Sequence, residues 1–441
     1  MSSRPRRYVI IGSGVAGISA AQAIRAQDSA GEIILVSDDP FGFYSRPGLA
    51  YYLTGEVEES LLYPIQPKEF RALKISLVTG KIATILPGEH QVQMENGSRI
   101  PYQRLLLATG ALASALPIGG GNSQGVHKLD NLSDARALLT SARRARSAVV
   151  VGGGITALEM VEALRAQGLK THFFLRGERY WSNVLDETES GIVEERLKHE
   201  GVQLHYKTEL ASLEIHKGRV AAAITQDGRR VACEVLGYAI GVRPRMELAR
   251  AAGLQVERGV LVNAYLQTSA PDIFAAGDVA QVYDPYSGQS VLDTLWGTAR
   301  QQGYCAGQNM AGAVQAYIKS VPFNVTRLAG LTTTIIGTVG QGSDPSLVGI
   351  ARGDSETWRQ LPNSVAASNT FEVNRLRLMV GEKHLLGAVV MGDQKLSTPL
   401  QELIGQRVDI TPIRDALFRT SDLGGSVAAF WTQWKAGLSQ K

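Results

Sequence analysis

The feature that most constrains this fold is a glycine turn between an apolar strand and a helix. Residues 12–17 have the sequence GSGVAG, between an apolar run at 8–11 and an alanine-rich stretch at 18–26. Another apolar run, at 32–36, follows and is succeeded by Asp38. Short apolar runs of this kind are typical of strands buried in a parallel sheet. The segment is therefore predicted to be one βαβ unit of about 30 residues.

The spacing of these glycines predicts a dinucleotide site. Gly12 permits the tight turn, Gly14 lets a diphosphate approach the backbone, and Gly17 lets helix and strand pack closely. Free N–H groups and the dipole at the helix N-terminus favour the phosphate charge. Asp38 is placed to accept the ribose hydroxyls at the end of the second strand. An isolated glycine motif would predict no more than a turn, but the strand–turn–helix–strand context predicts the site.

The same pattern occurs a second time in the middle of the chain. A strand at 147–151 is followed by three glycines at 152–154, a helix at 155–167 and a strand at 170–175. Ala157 takes the third position of the motif, which tolerates alanine. Two copies so far apart predict a repeated dinucleotide-binding fold, because a solenoid needs several copies at a shorter period.

The end of the last strand bears on the choice of nicotinamide donor. Leu175 stands where an NAD-binding chain usually offers an acid, and Arg176 and Arg179 follow it. Arginine at this place accepts a 2′-phosphate, which favours NADPH. The alternative is that both arginines lie on the surface of a loop, so NADH and NADPH both stay open.

Composition excludes several other classes of protein. The chain of 441 residues has a net charge of +4 and no basic run interleaved with aromatic residues, so no nucleic-acid partner is expected. Its two cysteines, Cys233 and Cys305, are far apart and form no disulfide framework or zinc spacing, which predicts a cytoplasmic protein without a metal site. The apolar stretch from Leu105 is interrupted and falls short of the roughly 20 residues of a membrane span.

Three further motifs occur in the chain, one between the two glycine turns and two after the second turn. They are LLLATG at 105–110, GVRP at 241–244 and TSAPDIFAAGD at 268–278. Together the five motifs resemble those of the FAD-dependent pyridine nucleotide–disulfide oxidoreductase superfamily, over the whole of residues 1–320. The resemblance implies that the first turn binds FAD and the second binds NADH or NADPH.

The resemblance also implies the domain organisation. The expected fold class is α/β, with two Rossmann-like dinucleotide-binding domains of the glutathione-reductase type and an α+β C-terminal interface domain. Residues 1–112 and 245–325 would form the FAD-binding domain, 113–244 the NAD(P)H-binding domain and 326–441 the C-terminal domain. In the last part of the chain, the sequence predicts strands at 332–339, 347–351, 368–373, 377–380 and 385–391, and helices at 398–405 and 413–418.

The residues expected at each site follow from the same resemblance. Asp278 is expected to hydrogen-bond the ribityl chain of the flavin, and the helix beginning near Trp296 to direct its N-terminus at the pyrimidine side of the ring. Glu159 and Trp296 are the candidate catalytic residues, and the alternative for Trp296 is an ordinary core aromatic residue. The FAD residues are Gly12, Gly14, Ala16, Gly17, Asp38, Arg46, Pro47, Ile82, Thr109, Gly110, Asp278 and Thr298, and the NAD(P)H residues are Gly152, Gly154, Ile155, Glu159, Arg176, Arg179 and Gly241.

The segment SRPGLAYYL at 45–53 indicates one branch of the superfamily. It resembles the nitrite-reductase-like and rubredoxin- or ferredoxin-reductase-like branch, and Pro47 stands where other branches carry a redox cysteine. No thiol relay is therefore expected. Tyr51 stands where ferredoxin-reductase relatives often carry a lysine, a departure that bears on the role of Glu159.

The activity implied is transfer of hydride from NAD(P)H to flavin N5, followed by electron transfer to a rubredoxin- or ferredoxin-like carrier protein. An NAD(P)H oxidase or a quinone or dye reductase is the first alternative. The second is a flavin-bound interaction module with little turnover, for which Trp431 and Trp434 would anchor a partner; their burial within the C-terminal domain is the simpler interpretation. Whether the chain forms a homodimer stays open.

Overall fold

The computed structural model describes residues 5–285, 287–340, 365–371 and 374–438. The strand predicted at 347–351 and the last two residues of that at 368–373 lie outside the described residues. Two compact units form: unit 1 contains Met1–Ser114, Asp130–Arg136 and Gly241–Lys319, and unit 2 contains Ala115–Leu129, Ala137–Ile240 and Ser320–Lys441. The division into three domains stays a prediction, since the segments assigned to NAD(P)H binding and to the C-terminal domain fall largely in one unit.

Unit 1 contains a parallel sheet of five strands. Its spatial order is β19 (Ile273–Ala275), β7 (Arg104–Leu107), β1 (Arg7–Ile11), β2 (Glu32–Ser37) and β3 (Ile75–Thr79). Helix α1 (Val15–Gln27) joins β1 to β2, which pair in parallel. The strands and the helix predicted from the first glycine motif are confirmed, and the helix begins earlier than expected because it starts at the turn itself.

Smaller elements complete unit 1. Three short sheets accompany the parallel one: β4 (Ile82–Leu86) with β5 (Gln91–Met94) and β6 (Arg99–Pro101), β8 (Ala111–Ala113) with β17 (Val242–Pro244), and β18 (Val260–Leu261) with β20 (Ala280–Asp284) and β21 (Gln289–Leu292). The helices are α2 (Leu49–Thr54), α3 (Pro67–Ala72), α7 (Glu247–Ala251) and α8 (Trp296–Met310), and α4 (Leu132–Ala142) begins in this unit.

Helices α1 and α8 pack with their backbones in close contact. A Cβ atom at Gly303 would overlap the backbone of Ala16, and one at Gly307 would overlap that of Ala20. The four-residue spacing of these glycines places both on one face of α8. This packing fixes the start of α8 against the start of α1, where the first glycine turn lies.

Unit 2 contains a second parallel sheet of five strands. Its order is β12 (Gln203–His205), β11 (Lys170–Phe174), β10 (Ser147–Val151), β16 (Val235–Tyr238) and β9 (Val126–His127). The strands and helix predicted from the second glycine motif are confirmed by β10, β11 and α5 (Ile155–Ala166). Helix α6 (Glu187–His199) and an antiparallel sheet were not expected; the sheet consists of β13 (Leu210–His216), β14 (Arg219–Thr225) and β15 (Arg230–Ala232).

The C-terminal part of unit 2 is an antiparallel sheet covered by helices; the sequence predicts strands and helices here, but neither the antiparallel pairing nor the last helix. The sheet order is β22 (Phe323–Leu328), β23 (Leu331–Gly337), β26 (Leu385–Met391), β25 (Asn374–Val380) and β24 (Val365–Phe371). Helices α9 (Ser397–Gly405), α10 (Arg414–Leu417) and α11 (Leu423–Leu438) follow. Trp431 and Trp434 lie half-buried against this core, and Trp431 Nε1 donates to Glu402 Oε2 at 2.7 Å, so both tryptophans pack within the domain. Among the described helices, none combines the length and apolar character that crossing a membrane requires.

Two arginines of β25 form a buried ionic cluster with the start of α6. Arg377 Nε lies 2.8 Å from Glu189 Oε1, and Arg375 Nη2 lies 2.5 Å from Asp186 Oδ2. Arg377 also donates to the carbonyl oxygens of Val339 and Val184, at 2.9 and 2.8 Å. Burial raises the pKa of Glu189, and the Arg377 guanidinium opposes that shift. The cluster joins the C-terminal sheet to α6 within unit 2.

Loss of one partner in this cluster should destabilise the protein strongly. We expect Arg377→Met to lower the free energy of unfolding by about 3–5 kcal/mol, because it leaves the fully buried Glu189 without its closest cation. Equilibrium urea unfolding measures the change. The double variant Arg377→Met/Glu189→Leu is the matched control and should recover most of the loss. A single variant that unfolds at the wild-type urea concentration would contradict the assignment.

Candidate functional site

The first glycine turn joins three strands of unit 1 at their carboxyl ends. Gly12 follows β1 and has φ = +114°, and its N–H donates to Val36 O at 2.8 Å. A Cβ atom at Gly12 would overlap the carbonyl oxygen of Ala108, which follows β7. A side chain at Gly17 would in turn overlap Gly12 O. Both positions therefore require glycine for reasons of folding alone.

Gly14 differs from its neighbours because nothing in the protein occupies the space beside it. It is the N-cap of α1 and has extended backbone, no side chain caps the helix, and a Cβ atom there would meet no heavy atom within 4 Å. Helix N-termini carry free N–H groups and partial positive charge, which suit a diphosphate. The open space before an uncapped helix fits the diphosphate of FAD.

Residues predicted for FAD gather along the carboxyl edge of the parallel sheet in unit 1. Thr109 and Gly110 follow β7, and Asp278 follows β19 on the neighbouring strand. The N–H of Gly277, just before Asp278, donates to Gln302 Oε1 of α8 at 2.8 Å. Parallel strands place their following loops at the same edge, which is where such sheets bind ligands. Gln302 was missed in the sequence analysis, although it belongs to the same segment as Trp296.

Asp38 also lies at this edge, in an ion pair that was not predicted. Its Oδ2 lies 2.6 Å from Arg245 Nη2. Burial opposes ionisation of Asp38, but the hydrogen bond from Arg245 holds the pKa of the carboxyl below its usual value. The backbone of Arg245 is fixed by Gly110 O and by the Thr109 hydroxyl, at 2.9 and 3.0 Å. Arg245 directly follows the GVRP motif, and this adjacency could have identified it as a site residue from the sequence.

The remaining FAD candidates are spread over other elements of unit 1. Arg46 donates to the backbone oxygen of Asp130 at 3.4 Å, Pro47 is exposed before α2, and Ile82 is buried at the start of β4. Trp296 begins α8 and is 42% exposed, which excludes the alternative of an ordinary core residue. Candidates buried within or beside helices are Ala16 in α1 and Thr298 in α8.

The second glycine turn repeats this construction in unit 2. Gly152 follows β10 with φ = +148°, and a Cβ atom there would overlap the carbonyl oxygen of Ala239, which follows β16. Gly154 is the N-cap of α5 without a capping side chain, and Ile155 begins the helix. Glu159 lies half-buried on the same helix. The turn therefore offers a second open helix N-terminus that fits a dinucleotide diphosphate.

The other NAD(P)H candidates differ in their surroundings. Leu175 is buried, whereas Arg176 is exposed. Arg179 is half-buried and its Nη2 donates to Ser182 O at 3.3 Å, so it contributes to the shape of its own loop. Gly241 has φ = +111°, accepts a hydrogen bond from Ser114 N at 2.9 Å, and belongs by its contacts to unit 1.

Neither cysteine is arranged for redox chemistry. Both are free and buried, and burial raises the pKa of Cys233 to about 12 and of Cys305 to about 11. Thiolates are the reactive form, so both groups are unreactive at neutral pH. Over the part of the chain that the structure describes, no group of three or more His, Cys, Asp or Glu side chains is placed to hold a metal ion.

The contrast between Gly14 and its neighbours gives a test of the FAD site. We expect Gly14→Ala to lower the stability of the apoprotein by no more than about 1 kcal/mol, the cost of alanine at an N-cap, because its Cβ meets no protein atom beyond its chain neighbours. The variant should weaken FAD binding roughly tenfold or more, about 1.4 kcal/mol, by obstructing the diphosphate. Thermal unfolding of apoprotein and FAD titration measure the two effects. Gly88→Ala, also in open space in unit 1, is the matched control. Equal FAD affinity in the two variants would contradict the site.

Comparisons with known proteins agree with this geometry. The family model described as pyridine nucleotide-disulphide oxidoreductase matches residues 6–303. The ferredoxin–NAD(+) reductase component of the biphenyl dioxygenase system of Paraburkholderia xenovorans is 34% identical over 354 residues, or 80% of this chain and 85% of that protein. A rubredoxin–NAD(+) reductase of Ectopseudomonas oleovorans is 32% identical over 292 residues, or 65% of this chain and 75% of that protein.

A solved structure supports the same fold. The covalent complex of putidaredoxin reductase with putidaredoxin contains a chain that matches with a TM-score of 0.84 at 24% identity, over 97% of this chain and 99% of that chain. The predicted α/β fold class is thereby confirmed. From the extent of the family match and the identity to its relatives, this chain belongs to the pyridine nucleotide-disulphide oxidoreductase family and is an oxidoreductase that uses FAD and a nicotinamide dinucleotide.

Proposed function

We propose that this protein is an NADH-dependent, FAD-containing reductase that supplies electrons to a small ferredoxin- or rubredoxin-like carrier protein. The observation that carries the proposal is the absence of a usable thiol. Pro47 stands at the position of a redox cysteine, and both cysteines of the chain are buried with raised pKa values. Electrons must then leave the flavin directly. Both relatives compared above are named for reduction of such carriers.

The proposed roles of the residues follow from their positions. The turn at Gly12 and Gly14 binds the diphosphate of FAD, Asp38 with its partner Arg245 meets the adenosine ribose, and Asp278 meets the ribityl chain. The N-terminus of α8, at Trp296, lies beside the pyrimidine ring and favours the negative charge of the reduced form. Bound FAD supplies hydride acceptance and release of single electrons. Thr109 and Gly110, at the same edge of the sheet, are proposed to line this site, and the other FAD residues named from the sequence stay predictions.

The proposed site for the nicotinamide donor lies in unit 2. The turn at Gly152 and Gly154 binds the diphosphate of the nicotinamide donor, with Ile155 and Glu159 on the helix that follows. In the proposed three-part organisation, residues 113–244 form this donor domain and 326–441 the C-terminal domain. The enzyme is proposed to act in the cytoplasm, where both thiols stay reduced.

NADH is proposed as the donor, although the loop after β11 carries arginines. Both relatives are named for NAD(+). Arg179 hydrogen-bonds its own loop at Ser182, which supports a structural role for this side chain rather than phosphate binding. Arg176, which is exposed, is the remaining candidate for contact with a 2′-phosphate.

Carrier reduction is tested by anaerobic stopped-flow spectroscopy of the holoenzyme. We expect NADH to bleach the flavin absorbance rapidly, and the bleached enzyme to be reoxidised by a ferredoxin or rubredoxin faster than by oxygen or by a quinone. Ferricyanide is the control for competence to release single electrons. Fast turnover on oxygen or quinone and none on several carriers would instead identify an oxidase or quinone reductase. Negligible turnover on ferricyanide despite bound FAD would identify an interaction module.

Donor preference is tested with steady-state kinetics of the wild type and of Arg176→Gln. We expect kcat/KM to be higher for NADH than for NADPH by at least roughly tenfold, about 1.4 kcal/mol of transition-state stabilisation. Arg176→Gln should leave the value for NADH unchanged. Preference for NADPH that disappears in Arg176→Gln would contradict the proposal and assign this arginine to the 2′-phosphate.

A further inference from the structure

A lysine and an aspartate form a fully buried pair in unit 1. Lys319 Nζ lies 3.5 Å from Asp293 Oδ2, and both side chains have 0% exposure. Asp293 follows β21, and Lys319 is the last residue of the unit. Burial of a lysine is costly unless its charge is compensated. Stability alone does not explain the presence of this pair, because apolar residues of similar volume often give equal or greater stability.

Asp293 is bonded to the beginning of α8. Its Oδ1 accepts a hydrogen bond from Leu295 N at 3.3 Å. Leu295 is the N-cap of α8 and has no side chain able to cap the helix. The carboxylate therefore satisfies the N–H of the N-cap residue, and it adds a negative charge at the positive end of the helix dipole.

The segment that carries Lys319 is tied to the same helix by a second set of contacts. Gln315 N donates to Asn309 Oδ1 of α8 at 2.7 Å, and Asn309 Nδ2 donates to Gln315 O at 2.8 Å. The buried Asp284 carboxylate also acts on Tyr317. The chain segment that leads to Lys319 is thus fixed to α8.

Charges in this interior act on one another strongly, because the surroundings contain little water to screen them. Alone, the Asp293 carboxylate would offset the positive end of α8. Burial raises the pKa of Asp293, and the Lys319 ammonium opposes that shift. When both groups are charged, their charges balance and the field of the helix dipole is left intact. Both the negative and the positive charge are needed for this balance. Removing the aspartate should therefore change the field at the start of α8 in one direction, and removing the lysine should change it in the other.

We propose that the Lys319–Asp293 pair sets the reduction potential of the flavin through the field at the N-terminus of α8. The proposal rests on the proposed position of that N-terminus beside the pyrimidine ring. Lys319 and Asp293 are positioning residues, since they act through the helix. Reduction adds negative charge to the flavin, so an unbalanced lysine raises the potential and an unbalanced aspartate lowers it.

The test is a redox titration of holoenzyme variants with dyes of known potential. We expect Asp293→Asn, whose amide oxygen can keep the hydrogen bond from Leu295 N, to favour the two-electron reduced flavin about tenfold, equal to a rise of about 30 mV. Lys319→Met should change the equilibrium by a similar factor in the opposite direction. The double variant should return close to the wild-type potential. Shifts of the same sign in both single variants, or none in Asp293→Asn, would overturn the proposal.

Controls separate this proposal from general effects of charge and from the proposed site. Arg7→Met removes one positive charge from unit 1 at the amino end of β1, where Arg7 pairs with Glu32, and should leave the potential unchanged. Trp296→Ala tests the placement of α8. If that placement is wrong, Trp296→Ala leaves flavin absorption and fluorescence unaltered. If only the role of the pair is wrong, Trp296→Ala alters the flavin spectrum, but the Asp293 and Lys319 variants keep the wild-type potential. Should Lys319→Met fail to fold, Asp293→Asn decides the outcome.

Discussion

The close contact between the Gly12 turn and the strand ends on either side is the constraint on which unit 1 depends. The N–H of Gly12 donates to Val36 O of the neighbouring strand β2, and the Gly12 Cα lies against the carbonyl oxygen of Ala108. No side chain fits there, so the turn brings the N-terminus of α1 to the carboxyl edge of the sheet. The residues that make the fold possible are thus the residues that leave room for a diphosphate. Gly14 is different, because a Cβ atom there would meet no protein atom beyond its chain neighbours, so its lack of a side chain is not needed for packing.

Helix α8 extends the same constraint to a second element. Gly303 lies against Ala16, the second residue of α1, and the Gln302 side chain accepts a hydrogen bond from the backbone of Gly277. Any displacement of α8 would therefore disturb the turn at Gly277 and the packing of α1 together. This explains how a sequence segment almost three hundred residues beyond the first motif forms part of the same edge: close helix packing by glycine brings it there.

The sequence predicted the elements whose pattern is local. Short apolar strands with a glycine turn between them identified both parallel sheets, because strands buried on both faces consist of uninterrupted apolar residues. The pairs Asp38–Arg245 and Arg377–Glu189 were not predictable, since partners distant in sequence leave no local pattern. Sheet β13–β15 was missed because one of its strands, β13, is largely exposed and lacks a clear alternation. Helix α6 did carry a signal that was overlooked, the capping box formed by Asp186 and Glu189.

The buried ion pairs of Arg377 and Lys319 differ in geometry, and the difference bears on what each of them does. Arg377 has a planar guanidinium that contacts a carboxylate and two backbone carbonyls at 2.8–2.9 Å, a geometry suited to holding elements together. Lys319 is a compact charge 3.5 Å from its carboxylate, a distance that gives little directional bonding. A long contact still cancels charge, because the Coulomb interaction falls only slowly with distance. The arginine cluster is therefore best explained by packing of unit 2, whereas the lysine pair is best explained by the field that it leaves at the start of α8.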